Sequence, residues 1–317
     1  MKLIIQIPCY NEEEWLPVTL KQIPRKFRGI DRVEVLVIDD GSGDRTVESA
    51  KRAGVDHIVR LINHKGLADA FAAGLDASLR LGADLIVNTD ADNQYSGRDI
   101  QKLIDPILAG GADMVIGDRR VETVAHFSFV KKRLQKLGSW TVRRLSGTEI
   151  PDVTSGFRAF NREAAMKINI ISRFTYTLET VIQAGKKNLA LAHVPVATNP
   201  QLRPSRLFTS IRAYLKRSVA TMVRIYTLYE PFKTFLTIGG VVFGLGFLIG
   251  LRFLYFYFAR GGVGHIQSLI LAAVLMIVGF QVAMIGLLSD LLAANRRLIE
   301  DLLYRIKKME YSRKGGR

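Results

Sequence analysis

Residues 88–95 read N-T-D-A-D-N-Q-Y, and two carboxylates, Asp90 and Asp92, stand one residue apart within them. They follow an apolar run of strand type, residues 84–87. In extended backbone, residues i and i+2 point to the same side, so both acids can address one hard cation. A cation held by oxygen ligands is what a diphosphate leaving group needs. A polar loop closing a strand has the same composition, so the spacing alone does not separate the two readings.

The elements that must position these acids alternate along the first two hundred residues. Strand-like runs fall at residues 3–8, 33–38, 57–61, 84–88 and 114–117, and helix-like runs at 44–53, 66–81 and 98–108. Strand–helix alternation at this spacing predicts an α/β domain with a mostly parallel sheet covered on both faces. Ligands of such sheets bind at the carboxyl ends of the strands. Three polar motifs fall there: P-C-Y-N-E after the first strand, D-D-G-S after the second and D-A-D-N-Q after the fourth. Three loops on one edge make one site.

The chain has 317 residues, a formal net charge of +16 and one cysteine, Cys9. No internal disulfide can form, which fits a reducing compartment. Lys2 leads straight into L-I-I-Q-I-P, so no cleavable leader is expected. The basic excess suits nucleic acid or an anionic membrane, and hydropathy favours the membrane; no nucleic-acid partner is expected. Residues 234–251 and 266–289 carry no charge, and each run is long enough to cross a hydrocarbon core. Arg252 and the aromatic run 253–258 that follows read as an interfacial anchor. Seven Lys or Arg lie between 203 and 233 and five between 296 and 308, whereas the connector 259–265 has only Arg260. This asymmetry predicts a hairpin of two transmembrane helices with both ends and the large domain in the cytoplasm.

Between the domain and the first span, Leu207, Ile211, Leu215, Val219, Met222 and Ile225 recur at helical spacing with basic residues between them. The pattern reads as a helix lying on the membrane surface, with an ordinary surface helix as the alternative. The expected organisation is a catalytic domain over 1–203, basic amphipathic helices over 204–231, two spans over 232–295 and a basic tail over 296–317. The last residues of the tail, 305–317, are expected to fray.

Together, I-P-C-Y-N-E, V-I-D-D-G-S-G-D-R-T, T-D-A-D-N-Q, D-V-T-S-G-F-R and the two spans resemble a known family. The chain is similar to the family 2 glycosyltransferases of GT-A fold, in particular the polyprenyl-phosphate sugar synthases typified by dolichol-phosphate mannose synthase. The resemblance implies transfer of a sugar from a UDP- or GDP-sugar to a polyprenyl phosphate with inversion. It implies that Pro8, Tyr10, Asn11 and Glu12, in a loop after the first strand, line the nucleotide pocket. It implies that Asp90, Asp92 and Gln94 bind Mg2+ or Mn2+. Asp40 matches the acid that hydrogen-bonds the base, and a carboxylate suits the imide N–H of uracil or a guanine edge. The alternative is that Asp39, Asp40 and Ser42 cap the helix beginning near Asp44. Arg203, Ser205 and Arg206 resemble a loop that folds over the donor diphosphate, where guanidinium groups make bidentate contacts.

Arg119, after the fifth strand, and one of Lys131, Lys132 and Arg133 match the pair of cations that holds the lipid phosphate; which of the second group acts stays open. Solvated basic residues near a membrane are the alternative for each. The five histidines, among them His57 and His64, read as structural or solvated.

A phosphate monoester is ionised near neutral pH, so attack on the anomeric carbon needs no strong base, and catalysis reduces to positioning and charge stabilisation. A processive polysaccharide synthase would need a Q-x-x-R-W segment, and neither Trp15 nor Trp140 lies in one. A nucleotidyltransferase would carry a longer basic phosphate loop near its start. A non-enzymatic membrane scaffold would not need the intact acids. The spans could also pair between copies, giving a homo-oligomer. The charge asymmetry yields a first test: a cysteine at Gly262 should react with an impermeant thiol reagent from outside the cell. Labelling only from the cytoplasmic side would reverse the topology.

Overall fold

The computed structural model describes residues 1–120, 140, 142–143, 146–171, 175–200, 219–220, 223–224, 226–260 and 266–314. The strands are β1 (Lys2–Cys9), β2 (Arg32–Asp39), β3 (His57–Arg60), β4 (Leu85–Asn88), β5 (Met114–Asp118), β6 (Arg158–Asn161) and β7 (Leu191–Pro195). The helices are α1 (Leu16–Gln22), α2 (Thr46–Arg52), α3 (Leu67–Arg80), α4 (Ile100–Leu108), α5 (Arg162–Lys167), α6 (Thr177–Lys186), α7 (Pro231–Arg260) and α8 (Ile266–Lys314).

The seven strands form one sheet in the order β3-β2-β1-β4-β6-β5-β7. Pairings β1–β2, β2–β3, β1–β4 and β5–β7 are parallel, and β6 runs antiparallel between β4 and β5. The expectation of a mostly parallel sheet therefore holds, with β6 as the exception. Leu3, Ile4, Ile5 and Ile7 in β1 and Val35 to Ile38 in β2 have no exposed surface, as strands buried on both faces require. Phe71, Leu75 and Leu79 of α3 cover one face, and Ile100, Leu103, Ile104 and Ile107 of α4 belong to the main core cluster with β1.

β1 pairs with β4 only from Leu3 to Gln6, while its pairing with β2 runs on to Cys9. Beyond Gln6 one edge of β1 is unpaired, so the two strands diverge where β4 ends. This corrects the placement of Pro8, which lies inside β1 opposite Ile38 and not in the loop. Proline is tolerated where one ladder position is free.

Two strands, β6 and β7, fall outside the strand-like runs. β6 is only four residues long and begins with an arginine, Arg158, that is fully buried. Its guanidinium donates to the carbonyls of Val153 (2.7 Å), Ser155 (2.7 Å) and Thr177 (2.8 Å) and to the hydroxyl of Thr180. It thereby ties the loop before β6 to the start of α6 through neutral acceptors. Burial lowers its pKa to about 10, still well above neutrality. Losing such a group leaves several carbonyls without donors, each worth about 1–3 kcal/mol when buried.

The chain divides into two compact units, residues 1–222 with 304–317, and residues 223–303. In the first, the end of α8 does not fray as expected. Tyr311 is 4% exposed and its hydroxyl donates to Asp76 Oδ1 at 2.6 Å; Glu310 pairs with Arg80 and Lys307 donates to Asn169 Oδ1 at 2.8 Å. These bonds hold the helical end against α3 and the loop after α5.

In the second unit, α7 and α8 are each long and apolar enough to cross a membrane. They pack antiparallel through small residues. A Cβ on Gly239 would stand 2.6 Å from the Gly279 carbonyl, and one on Gly246 2.9 Å from the Ala272 carbonyl. Close backbone approach of this kind is how helices associate where lipid offers no hydrophobic drive. The Arg252 guanidinium lies 5.2 Å from the Phe256 ring, beside the aromatic run. Of the expected juxtamembrane helices, residues 201–218 lie outside the described residues, and 226–229 are helical.

Candidate active site

The loops after β1 and β2 are laced to each other. Asn11, at φ 55°, donates its N–H to Ser42 Oγ (2.9 Å) and accepts from Gly43 N–H at Oδ1 (2.9 Å). The Glu12 N–H donates to Thr46 Oγ1 at 2.8 Å, and Glu12 is buried. A cavity of about 330 Å³ opens beside them, lined by Asn11, Glu13, Glu14, Trp15, Gly43 and Asp44. Its lining includes no residue of the Asp90–Gln94 segment.

Asp40 is 2% exposed and accepts from Lys65 N–H at Oδ1 and Gly66 N–H at Oδ2, both at 2.8 Å. His64 Nδ1 lies 2.8 Å from Oδ2, and the His64 ring stacks on Tyr10 at 3.9 Å between centroids. Asp40 thus fastens the turn that opens α3 and fixes the imidazole. The helix after β2 begins later than expected, at Thr46, with no side-chain cap. Asp39 accepts from Ser42 N–H at 3.1 Å, and Asp44 accepts from Thr46 N–H at 3.0 Å. His57, read as structural, bonds to Glu34 at 2.8 Å.

At the end of β4, burial alternates residue by residue: Asp90, Asp92 and Gln94 are partly exposed, while Ala91, Asn93 and Tyr95 are buried. The three polar side chains expected to share a cation therefore share the open side. Asp92 Oδ1 accepts from Gln94 N–H at 3.2 Å, and Asn93 takes φ 58° to turn the chain. Asn199 clamps the segment from outside, donating from its backbone to Gln94 O and from its side chain to Asn93 O, each at 2.9 Å.

Asp90 accepts no hydrogen bond among the described residues. Burial raises its pKa, the neighbouring charge of Asp92 raises it further, and Arg119 and Arg158 oppose both. Two adjacent carboxylates, one without a donor, are an electrostatic demand for a cation. No cluster of three or more His, Cys, Asp or Glu side chains forms among the described residues. Two acids plus an amide fit Mg2+ or Mn2+, which take one or two protein carboxylates and complete their shell with water and phosphate oxygens.

The loop of D-V-T-S-G-F-R packs against the Asp90 carboxylate and holds Arg119, a role its sequence did not disclose. Gly156 lies so close that a Cβ would stand 2.9 and 3.1 Å from the two Asp90 oxygens. Its N–H donates to the Tyr95 hydroxyl at 3.1 Å, and its carbonyl accepts from Asn88 Nδ2 at 2.8 Å. Asp152 grips Arg119 in a two-pronged pair, with Nε to Oδ2 at 2.7 Å and Nη2 to Oδ1 at 3.0 Å; Nη2 also donates to Thr154 Oγ1. Arg119 is 8% exposed, and its Nη1 makes no hydrogen bond among the described residues. Lys131, Lys132, Arg133, Arg203, Ser205 and Arg206 lie outside the described residues.

Paired acids, a close-packed glycine and an anchored arginine thus gather near the carboxyl ends of the central strands, where sheets of this kind bind their ligands. The chain belongs to glycosyl transferase family 2, whose model matches residues 4–168. It is 30% identical over 218 residues to polyprenol monophosphomannose synthase of Mycolicibacterium smegmatis, covering 65% of this chain and 81% of that one. It is 28% identical to glycosyltransferase AglJ of Haloferax volcanii over 96% of this chain and 97% of the relative. Among solved structures, glucosyl-3-phosphoglycerate synthase of Mycobacterium tuberculosis, in complex with Mn2+, UDP and phosphoglyceric acid, superposes with a TM-score of 0.56 at 19% identity. That match covers 71% of this chain and 78% of the other. The protein is a glycosyltransferase with a GT-A-like fold.

The crowding at Gly156 can be tested. Gly156→Ala forces a methyl onto the Asp90 carboxylate and should cut nucleotide-sugar turnover more than tenfold, a loss above about 1.4 kcal/mol. Asp92→Asn, which changes charge and not volume, should do the same with unchanged thermal unfolding. Turnover above a tenth of wild type in Asp92→Asn would contradict the metal role.

Proposed function

We propose that the enzyme transfers a sugar from a UDP- or GDP-sugar to a polyprenyl phosphate in a single inverting displacement, at a membrane surface. The Asp90–Asp92 pair, open beside Arg119 at the end of β4, carries the reading. The relative of Mycolicibacterium smegmatis, named for making a polyprenol monophosphate mannose, supports the acceptor class. The two span-length helices support delivery of that acceptor from a bilayer.

Asp90, Asp92 and Gln94 would hold Mg2+ or Mn2+, which offsets the charge growing on the departing nucleoside diphosphate. Tyr10, Asn11 and Glu12 border the donor from the β1 loop, with Pro8 beneath them and Asp40 beside the base. Arg203, Ser205 and Arg206 cover the diphosphate. On the acceptor side, Arg119 presents a guanidinium whose orientation Asp152 sets, leaving Nη1 to meet a phosphate oxygen. Lys132 or Arg133, with Lys131 beside them, supplies a second cation. The ionised acceptor oxygen attacks the anomeric carbon, the bond to the diphosphate breaks, and no side chain need take a proton. The catalytic domain faces the cytoplasm, and the aromatic run by Arg252 marks the far head groups.

The direct experiment is a donor screen. Detergent-purified protein, a polyprenyl phosphate, Mn2+ or Mg2+, and a panel of UDP- and GDP-sugars should yield a lipid-phosphate-linked sugar from at least one donor. No lipid product from any donor, with nucleotide binding intact, would sink the acceptor assignment. Within the site, Arg119→Ala should lower efficiency toward the lipid roughly ten- to two-hundred-fold, the worth of a charge-assisted phosphate contact of about 1.5–3 kcal/mol. Nucleotide affinity, read by calorimetry, should stay unchanged. Because the substitution also strands Asp152, Arg119→Lys serves as the check on folding. Lost nucleotide binding with unaltered lipid dependence would reverse the assignment.

A further inference from the structure

Helix α8 runs without a break from Ile266 to Lys314, well past the uncharged stretch that ends at Ser289. One stripe of this extension is turned toward its own chain: Ala293 and Tyr311 are buried, and Arg296, Glu300, Tyr304 and Lys307 are partly buried. A second face is polar, with Asp290, Arg297, Asp301 and Lys308. The third, opposite the buried stripe, is aliphatic and open. Leu292, Ile299 and Ile306 are 68%, 56% and 52% exposed, and Leu302 and Met309 are 57% and 62% exposed.

These positions alternate by three and four residues. With Leu292, Ile299 and Ile306 at a, the d positions are Asn295, Leu302 and Met309, a heptad seam over three repeats. We propose that this face is a self-association surface, which takes the same helix of a second copy of this chain in a parallel coiled coil. The proposal rests on the membrane reading for two points: copies inserted alike present their α8 helices in parallel, and the extension lies beyond the span.

The seam itself argues for a second copy over other occupants. The central repeat, Ile299 with Leu302, has isoleucine at a and leucine at d, the pattern of parallel two-stranded coils, and Ile306 keeps isoleucine at a in the next. Asn295, at d, is the single polar seam residue, and in a parallel pair at equal height the two amides can bond to each other across the axis. The flanking positions also match themselves. In a parallel pair, g faces e of the next heptad on the partner, which sets Leu298 against Leu303 and Arg305 against Glu310, while the first pair, Leu291 and Arg296, is unmatched. Glu310 is 40% exposed even with its bond to Arg80, so the second contact is a rim contact and not a competitor. Lipid is a poorer occupant: a helix that leaves the bilayer along its axis carries Met309 about 30 Å beyond Ser289 at 1.5 Å per residue.

The test is cysteine cross-linking of the full chain in native membranes, in a Cys9→Ser background. Ile299→Cys, Leu302→Cys and Ile306→Cys sample the seam; Arg297→Cys and Asp301→Cys sample the polar face. Mild oxidation should give a disulfide-linked dimer from the seam variants and little from the controls. Light scattering of the unsubstituted protein in mild detergent should report two chains, and Ile299→Asp combined with Leu302→Asp should return one chain with unchanged thermal unfolding. A monomeric unsubstituted protein would overturn the proposal. So would seam cysteines that form no dimer, or equal cross-linking from both faces. None of these readouts depends on sugar transfer, so failure of the proposed reaction and failure of this surface are separately visible.

Discussion

Two carboxylates held side by side at the end of a buried strand repel each other, and the surrounding site is arranged around that repulsion. Asp90 and Asp92 share the open side of the segment after β4, and Asp90 has no hydrogen-bond donor among the described residues. Arg119 and Arg158 lower the cost of its charge. Neither neutralises the pair: Arg119 is gripped by Asp152, and Arg158 spends its donors on carbonyls and a hydroxyl. The pair therefore keeps a negative potential, which is the feature the proposed divalent-ion site rests on.

The frame that holds this charge in place is neutral and rigid. Gly156 brings backbone against the Asp90 carboxylate, and Tyr95, Asn88 and Tyr176 fix the glycine's position. Tyr176 is stacked on Phe71 at 3.8 Å with nearly parallel rings, which couples the Gly156 loop to α3. The far end of α3 carries Asp76 and Arg80, and these hold Tyr311 and Glu310 near the end of α8. One helix thus touches the Asp40 turn at its start, Tyr176 beside Gly156 in its middle and the C-terminal helix at its end.

Much of this was legible in the sequence, for reasons that differ by element. β1, β2, β4 and β5 are continuous apolar runs, and a run buried on both faces announces itself. That Asp90 and Asp92 share a side was legible as an expectation, but the extended geometry behind it does not hold: β4 ends at Asn88, residues 91–92 form a turn, and Asn93 at φ 58° redirects the chain so that 90, 92 and 94 stay partly exposed. β6 was not legible. Four residues beginning with arginine carry no strand signal, and Arg158 is buried only because tertiary carbonyls meet it. Asp152 and Gly156 lay in a quoted motif, but their work depends on contacts more than thirty residues away in sequence. The docked end of α8 was misread as a fraying tail because its basic composition hid Tyr311, whose partner Asp76 is remote in the chain.

The central claim is that Asp90 and Asp92 hold a divalent cation jointly with a nucleoside diphosphate. Electron paramagnetic resonance of Mn2+ measures that directly, by titrating the purified protein with Mn2+ in the presence and absence of UDP and of GDP. The account expects weak Mn2+ binding alone, tight binding of one ion when the cognate nucleotide is present, and loss of that coupling in Asp90→Asn and in Asp92→Asn. Nucleotide-coupled Mn2+ binding that survives in both variants would contradict it.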